Sequence, residues 1–324
     1  MGFSKDVFAI APEQVAARLA EFIRGATYDQ YRRKGIVIGL SGGLDSSVSA
    51  ALCVRALGRE KVIGMLLPER DSAPVSREYG RLLAGALGID CLEVDLTPVL
   101  EAFGVYATRD AIVRKLIPGL PDPLRYRLVL PQDLLDRERL NVYSLEVLLP
   151  DGSVRRKRIP VQDYLEFIAA NDIKQRVRMT RLYQEAERRH YIVCGTTNYT
   201  ELIQGFYVKY GDAGVDIEPI ARLYKTQVFA LGRHLGVPQA ILDRAPSPDT
   251  YSLPVSDAEF YFCMPYDVLD CVIYGMEHGV PHEEIAGALG LAPEQVARAA
   301  REIARRREAT RMQGELPPSP PADS

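Results

Sequence analysis

Short apolar runs punctuate the first two thirds of the chain. They are Ile36-Val37-Ile38-Gly39-Leu40, Val62-Ile63-Gly64-Met65-Leu66-Leu67, Asp90-Cys91-Leu92-Glu93-Val94 and Tyr191-Ile192-Val193-Cys194-Gly195. All four read as strands, and Val62–Leu67, a near-continuous apolar run, as a buried one. Between them lie stretches with helical spacing. Residues 12–25 place Val15, Leu19, Phe22 and Ile23 on one face, with Pro12 near the start. Further helices are predicted to about Leu57, over about Val75–Leu87, over 163–189 and over Leu223–Leu235, the last ended by Gly236 with Pro238 behind it. Strand alternating with helix predicts an α/β fold, a parallel sheet with helices on both faces and right-handed crossovers. In such sheets ligands bind beyond the carboxyl ends of the strands.

The alternation breaks at about residues 114–162, where prolines recur at 118, 121, 123, 131, 150 and 160. Within this stretch Tyr143–Leu149 and Ser153–Ile159 flank Pro150-Asp151-Gly152, a hairpin signal. An insertion bearing a two-stranded ribbon is expected. Its basic run, Arg155–Arg158, reads as a solvated strand face rather than an anion site. Ala245–Ser256 is rich in proline and serine and reads as a mobile loop. His282 to about Arg311 reads as two helices. Residues 285–296 have the look of a helix-turn-helix, but an acidic chain without a basic recognition face argues for packing. Residues 1–314 are expected to form one domain, helical over about 265–312, with a disordered tail at 315–324.

Composition narrows the class. The 324 residues carry a formal net charge of -3, with 47% hydrophobic and 26% charged residues. That is ordinary soluble globular composition and points to neither a nucleic-acid nor a membrane partner. The start lacks the apolar core of a signal peptide, so a cytoplasmic location is expected. The five cysteines, Cys53, Cys91, Cys194, Cys263 and Cys271, have no CxxC spacing and read as free thiols.

The densest chemistry is Ser41-Gly42-Gly43-Leu44-Asp45-Ser46-Ser47, between a predicted strand and a predicted helix. Glycines let backbone N–H groups approach a phosphate, and a helix N-terminus adds donors and partial positive charge. This stretch therefore predicts nucleotide phosphate binding. Two more polar segments follow: Thr196–Glu201, again at a strand's carboxyl end, and Lys209–Asp216, a polar loop that bears glycines.

Taken together these motifs resemble the NAD synthetase family, within the N-type ATP pyrophosphatases. Ser41–Ser46 is similar to the SGGxDS pyrophosphate loop of that superfamily. Lys174, Arg176, Arg178 and Met179 stand where NAD synthetases have NxKxRxRM. Gly195–Glu201 looks like their GTxNxxE. Lys209-Tyr210-Gly211-Asp212, with Asp216, Pro219, Leu223, Lys225 and Gln227, follows KYGDxxxDxxP…LxKxQ. The resemblance covers about residues 12–113 and 164–312. Asp172 departs from it, standing where the family has Asn, and so does the insertion.

The resemblance implies an adenine nucleotide alpha-hydrolase-like fold and a two-step reaction. ATP adenylates a carboxylate, pyrophosphate leaves, and ammonia displaces AMP to give an amide; the acid implied is nicotinic acid adenine dinucleotide. It assigns Ser41, Gly42, Gly43, Asp45, Ser46, Ser47, Thr196 and Lys225 to ATP and pyrophosphate. Asp45 and Glu201 are implied as ligands of Mg2+. Lys209, Asp212 and Asp216 are implied on the side that binds the acid or activates ammonia, with Asp172 and Arg176 beside them; Asp45, Lys225, Lys209 and Asp212 form the catalytic set. It also implies a homodimer fed by free ammonia or by a separate glutaminase subunit. Two alternatives stand beside this expectation: a paralogous amide ligase for another acid, and a non-catalytic nucleotide-binding module.

Overall fold

The central strand, β1 (Ile36–Gly39), pairs on both sides in the computed structural model, which describes residues 2–138 and 140–320. α1 (Pro12–Gly25) precedes it. α2 (Leu44–Leu57), β2 (Val62–Leu66), α3 (Pro74–Leu87), β3 (Asp90–Glu93), α4 (Thr97–Ala102) and α5 (Val105–Leu116) follow. The inserted strands are β4 (Tyr126–Val129), β5 (Ser144–Leu148) and β6 (Val154–Arg158). The alternation resumes with α6 (Val161–Arg189), β7 (Ile192–Cys194), α7 (Tyr199–Gln204), α8 (Lys225–His234) and α9 (Gln239–Leu242). α10 (Tyr266–His278), α11 (His282–Leu289) and α12 (Pro293–Thr310) close the fold.

The main sheet has the order β3-β2-β1-β7 and is parallel throughout, with Ile36 opposite both Val62 and Ile192. Period-two alternation sends successive side chains to opposite faces. Ile36 and Ile38 pack with α1, α2 and α8 on one face, while Val37, Ile63, Met65 and Val193 pack with α4–α6 on the other. Helices on both faces are thus observed as expected. The chain winds outward from β1 to β2 and β3, then returns to β7 on the other side of β1. That reversal makes the carboxyl ends of β1 and β7 the topological switch point, where a crevice opens.

The inserted hairpin is present, but it belongs to a three-stranded antiparallel sheet, β4-β5-β6, rather than a two-stranded ribbon. β4 escaped the sequence because Tyr126–Val129 is a short run among prolines. Its burial comes from α5, α6 and the loop around Tyr251, all distant in sequence. The α5 helix was also unread. All five positions of β6 are exposed, as a solvated basic strand should be.

The 245–256 segment is a loop, but a packed one: Thr250, Tyr251 and Val255 are buried, and Ala73 N donates to Asp249 at 3.0 Å. α11 and α12 pack with α10 around Val272, Ile285 and Ile303. Of the expected tail, residues 321–324 lie outside the described residues. Residues 315–320 form neither helix nor strand.

Candidate active site

The loop after β1 is built to bare its backbone. Gly42 has φ +71°, and a Cβ there would lie 2.4 Å from Ser76 O on α3, so only glycine fits. Gly43 is the N-cap of α2 and offers no side-chain cap. The N–H groups of the first turn, Leu44, Asp45 and Ser46, therefore have no acceptor inside the helix. Ser41 Oγ and Ser46 Oγ lie 3.0 Å apart at the mouth. Ser46 and Ser47 are both buried, and both hydroxyls donate to Gly43 O, at 3.0 and 2.7 Å, inside the helix; Ser46 lines the mouth and Ser47 does not. Arg244, after α9, braces the loop, donating to Gly42 O at 3.2 Å and Ser76 Oγ at 2.7 Å.

Across the switch point, β7 runs into Thr196 and the start of α7. Asn198 caps that helix reciprocally with Glu201: Glu201 N donates to Asn198 Oδ1 at 3.1 Å, and Asn198 N to Glu201 Oε2 at 3.3 Å. The Asn198 amide also donates to Asp45 Oδ1 at 3.0 Å. One residue thus fixes both acids. Between them lies Lys225 Nζ, which donates to Asp45 Oδ2 and, at 3.3 Å, to Glu201 Oε1. Lys225 begins α8, and its N–H donates to Thr200 Oγ1, whose hydroxyl donates in turn to Asp270 at 2.6 Å.

Lys225 is only 2% exposed. Burial works against its charge, but Asp45, Glu201 and Asp257 outweigh that and hold it as an ammonium. Burial pushes the Glu201 carboxyl up; Lys225 opposes this and Asp45 adds to it. Among the described residues no cluster of three or more His, Cys, Asp or Glu side chains forms a ready metal cage. Two carboxylates sharing one cation nonetheless suit a hard divalent ion that draws its remaining ligands from phosphates and water. The donor set at Asp45 and Glu201 fits magnesium on that basis.

Two adjoining cavities, about 660 and 480 Å3, meet at Ser41, Ser46 and Thr196. The larger runs between the ends of β1 and β2 over Leu40, Leu66 and Leu67, with Arg178 and Met179 opposite. The smaller holds Asp45, Glu201, Lys225, Arg244 and Asp257, then extends past Asp172 to an aromatic end. Asp212 borders both cavities and accepts a hydrogen bond from Val208 N at 2.7 Å.

Several residues expected here lie elsewhere. Lys209 donates to the carbonyls of Met312 and Glu315 at 3.0 and 3.1 Å and borders neither cavity. Asp216 pins β7 to α6, accepting from Val193 N at 2.7 Å and Tyr183 Oη at 3.0 Å. Arg176 donates to Lys209 O at 3.3 Å, while Arg178, two positions on, faces the larger cavity.

The sequence also concealed a buried network beneath both cavities. Lys174, 0% exposed, donates to Glu69 Oε1 at 2.8 Å, Asp71 Oδ2 at 2.9 Å and Thr250 O at 3.0 Å. Arg109, equally buried, donates to the same Asp71 oxygen at 2.8 Å and to Thr250 O at 3.3 Å. Burial pushes Asp71 up, but Lys174 and Arg109 outweigh it and hold the carboxyl below its ordinary range. The network ties the loop after β2, which walls the larger cavity, to the 245–256 loop, which walls the smaller. Lys174 was visible in its motif; Arg109, on an unread helix, gave no signal.

Comparison with known proteins agrees with this geometry. The sequence model of the NAD synthase family matches residues 15–117 and 151–313, leaving out most of the insertion. The chain is 42% identical to the NH(3)-dependent NAD(+) synthetase of Rhizobium meliloti over 95% of its own length and 92% of that protein's. It is 41% identical to the protein of that name from Mesorhizobium japonicum, over 90% of this chain and 91% of that one. Among solved structures, NMN synthetase from Francisella tularensis superposes with a TM-score of 0.67 at 23% identity, covering 96% of this chain and 99% of that one, a likeness of fold. With the family's sequence model matched over most of the chain and relatives above 40% identity covering nearly all of it, the chain belongs to the NAD synthase family.

Proposed function

We propose that this enzyme converts nicotinic acid adenine dinucleotide to NAD with ATP and ammonia, releasing AMP and pyrophosphate. The observation that carries the reading is the meeting of Asp45, Glu201 and Lys225 beside the uncapped start of α2. A carboxylate oxygen of the acid attacks the α-phosphorus of ATP and pyrophosphate leaves. Ammonia then attacks the acyl carbon, AMP leaves, and nitrogen gives up a proton.

Both steps depend on positioning and on balancing phosphate charge. The N–H groups of the Ser41–Ser46 loop hold the pyrophosphate portion, and Ser41 adds a hydroxyl donor. Lys225 offsets the charge gained by the leaving group. The larger cavity, with apolar Leu40, Leu66 and Leu67, suits the nucleoside of ATP; Thr196 stands at its junction with the acid side. Asp212, on both cavities, is the group placed to accept the proton from nitrogen. Asp45 and Glu201 would hold Mg2+, which when bound neutralises phosphate charge.

No helix of the described residues is long and apolar enough to cross a membrane. A cytoplasmic homodimer using free ammonia is the proposed working form. The exposed apolar pair Val161 and Leu165, one turn apart on α6, supports a second copy as partner. Light scattering on the purified chain tests that assembly. Incubation with ATP, magnesium, ammonium and the dinucleotide acid tests the reaction: NAD and AMP should appear in equal amounts. Turnover with another carboxylic acid alone would reassign the substrate.

A further inference from the structure

Two loops wall the two cavities, and one buried joint fastens them together. Glu69, Ser72 and Ala73, after β2, line the larger cavity; Ala245, Pro246 and Thr250 line the smaller. Arg109, on α5, donates to Asp71 Oδ2 at 2.8 Å on the first loop and to Thr250 O at 3.3 Å on the second. Lys174, on α6, reaches the same two acceptors and Glu69. Arg70 extends the joint, bonding to Asp71 and to Asp110 on α5, both at 3.1 Å. Arg109, Lys174 and Asp71 are all buried and line neither cavity. They can act on a ligand only through the loops they hold.

The Arg109 guanidinium sits among Tyr126, Phe167 and Tyr251, 5.2, 5.0 and 5.4 Å from their ring centroids. Tyr126 is on β4, so the inserted sheet helps to seat this side chain. Yet Arg109 Nε, Thr250 Oγ1 and Tyr251 Oη are buried without hydrogen-bond partners among the described residues. Buried polar groups ordinarily find partners. The joint therefore keeps hydrogen-bonding capacity that this arrangement leaves unused and that a second position of the loops can fill.

We infer that Arg109 is a positioning residue that couples the two cavities: a nucleotide that orders the loop after β2 also orders residues 245–256, so that ATP and the dinucleotide acid bind with positive cooperativity. The inference rests on the function proposed above. The first ligand restricts the shared joint, and the second then loses less conformational entropy on binding. The effect is reciprocal, each ligand raising the affinity of the other by the same factor.

Calorimetry measures Kd for the α,β-methylene analogue of ATP, whose carbon bridge cannot release pyrophosphate, with and without saturating dinucleotide acid. In the wild type the acid should tighten the analogue about tenfold, within the usual span of coupling between sites. Arg109→Met should cut that factor about fivefold, while Kd for the analogue alone stays as in the wild type. Direct contact between the two ligands is the same in both proteins, because Arg109 lines neither cavity. Asp71→Asn keeps the shape of the joint, so it carries the test if Arg109→Met fails to fold. Its single amide oxygen cannot serve Arg70 on one side and Arg109 and Lys174 on the other, so the factor should fall there too. Unchanged binding of the analogue alone reports that a variant has folded. In the wild type the analogue alone should also slow hydrogen exchange at residues 250–256. No slowing there, a wild-type factor of one, or a factor that a folded variant leaves alone overturns the inference and leaves the proposed function standing. A wild type that binds no dinucleotide acid, with or without the analogue, overturns both.

Discussion

Lys225 donates to Glu201 at 3.3 Å from the first turn of a different helix, and the same ammonium reaches Asp45. Three elements thus meet on one buried charge. Replacing Lys225 with Met removes that charge and leaves two carboxylates facing each other. We expect kcat to fall about 10²- to 10³-fold, the scale seen when one preorganised transition-state donor is removed. Steady-state kinetics at saturating ATP checks this.

The loop before α2 has no slack. Gly42→Ala places a Cβ against Ser76 O and forces a left-handed backbone on alanine. The backbone term alone costs about 1–2 kcal/mol. ATP and pyrophosphate affinity should drop together, because the loop and α3 must separate. Urea unfolding with pyrophosphate titration measures both effects.

Lys174→Met leaves Glu69 and Asp71 buried with less compensating charge. Breaking a buried ion pair from one side costs about 3–5 kcal/mol. The urea midpoint should fall accordingly. Because the network anchors Thr250 as well, hydrogen exchange should accelerate across residues 245–256 before global unfolding.

Burial pushes the Glu218 carboxyl up to about 8, although Thr197 N donates to it at 3.0 Å. Between about 4.5 and 8 the folded chain keeps a proton that the unfolded chain has released. Stability from this group therefore falls as pH rises through that window and levels off above it. Glu218→Gln should remove the slope, so that the variant gains on the wild type from pH 5 to pH 8 in urea unfolding.

Lys209 is bonded to the carbonyls of Met312 and Glu315. Lys209→Ala should speed hydrogen exchange at residues 311–315 while leaving β1 and β7 protected.

The parallel sheet was legible because β1, β2 and β7 are apolar enough to read as strands without their neighbours. Gly42, Asp45, Glu201 and Lys225 were legible because strand-end motifs keep their spacing. What stayed hidden depends on contacts between distant segments. β4 is a strand because α5, α6 and the Tyr251 loop cover it. Arg109 is buried only because Asp71 and Thr250 meet it from elsewhere in the chain. Lys209 and Asp216 have charged-loop spacing suited to a ligand, yet they bond to the C-terminal segment and to β7. Spacing could not reveal which way they turn.

Isotope transfer tests the adenylation account most directly. The dinucleotide acid, labelled with 18O in its carboxylate, is turned over with ATP and ammonium, and the products are weighed by mass spectrometry. Attack of that carboxylate on the α-phosphorus predicts one 18O in AMP, one in the amide of NAD, and none in pyrophosphate. NAD formed with unlabelled AMP, or with label in inorganic phosphate, would contradict it.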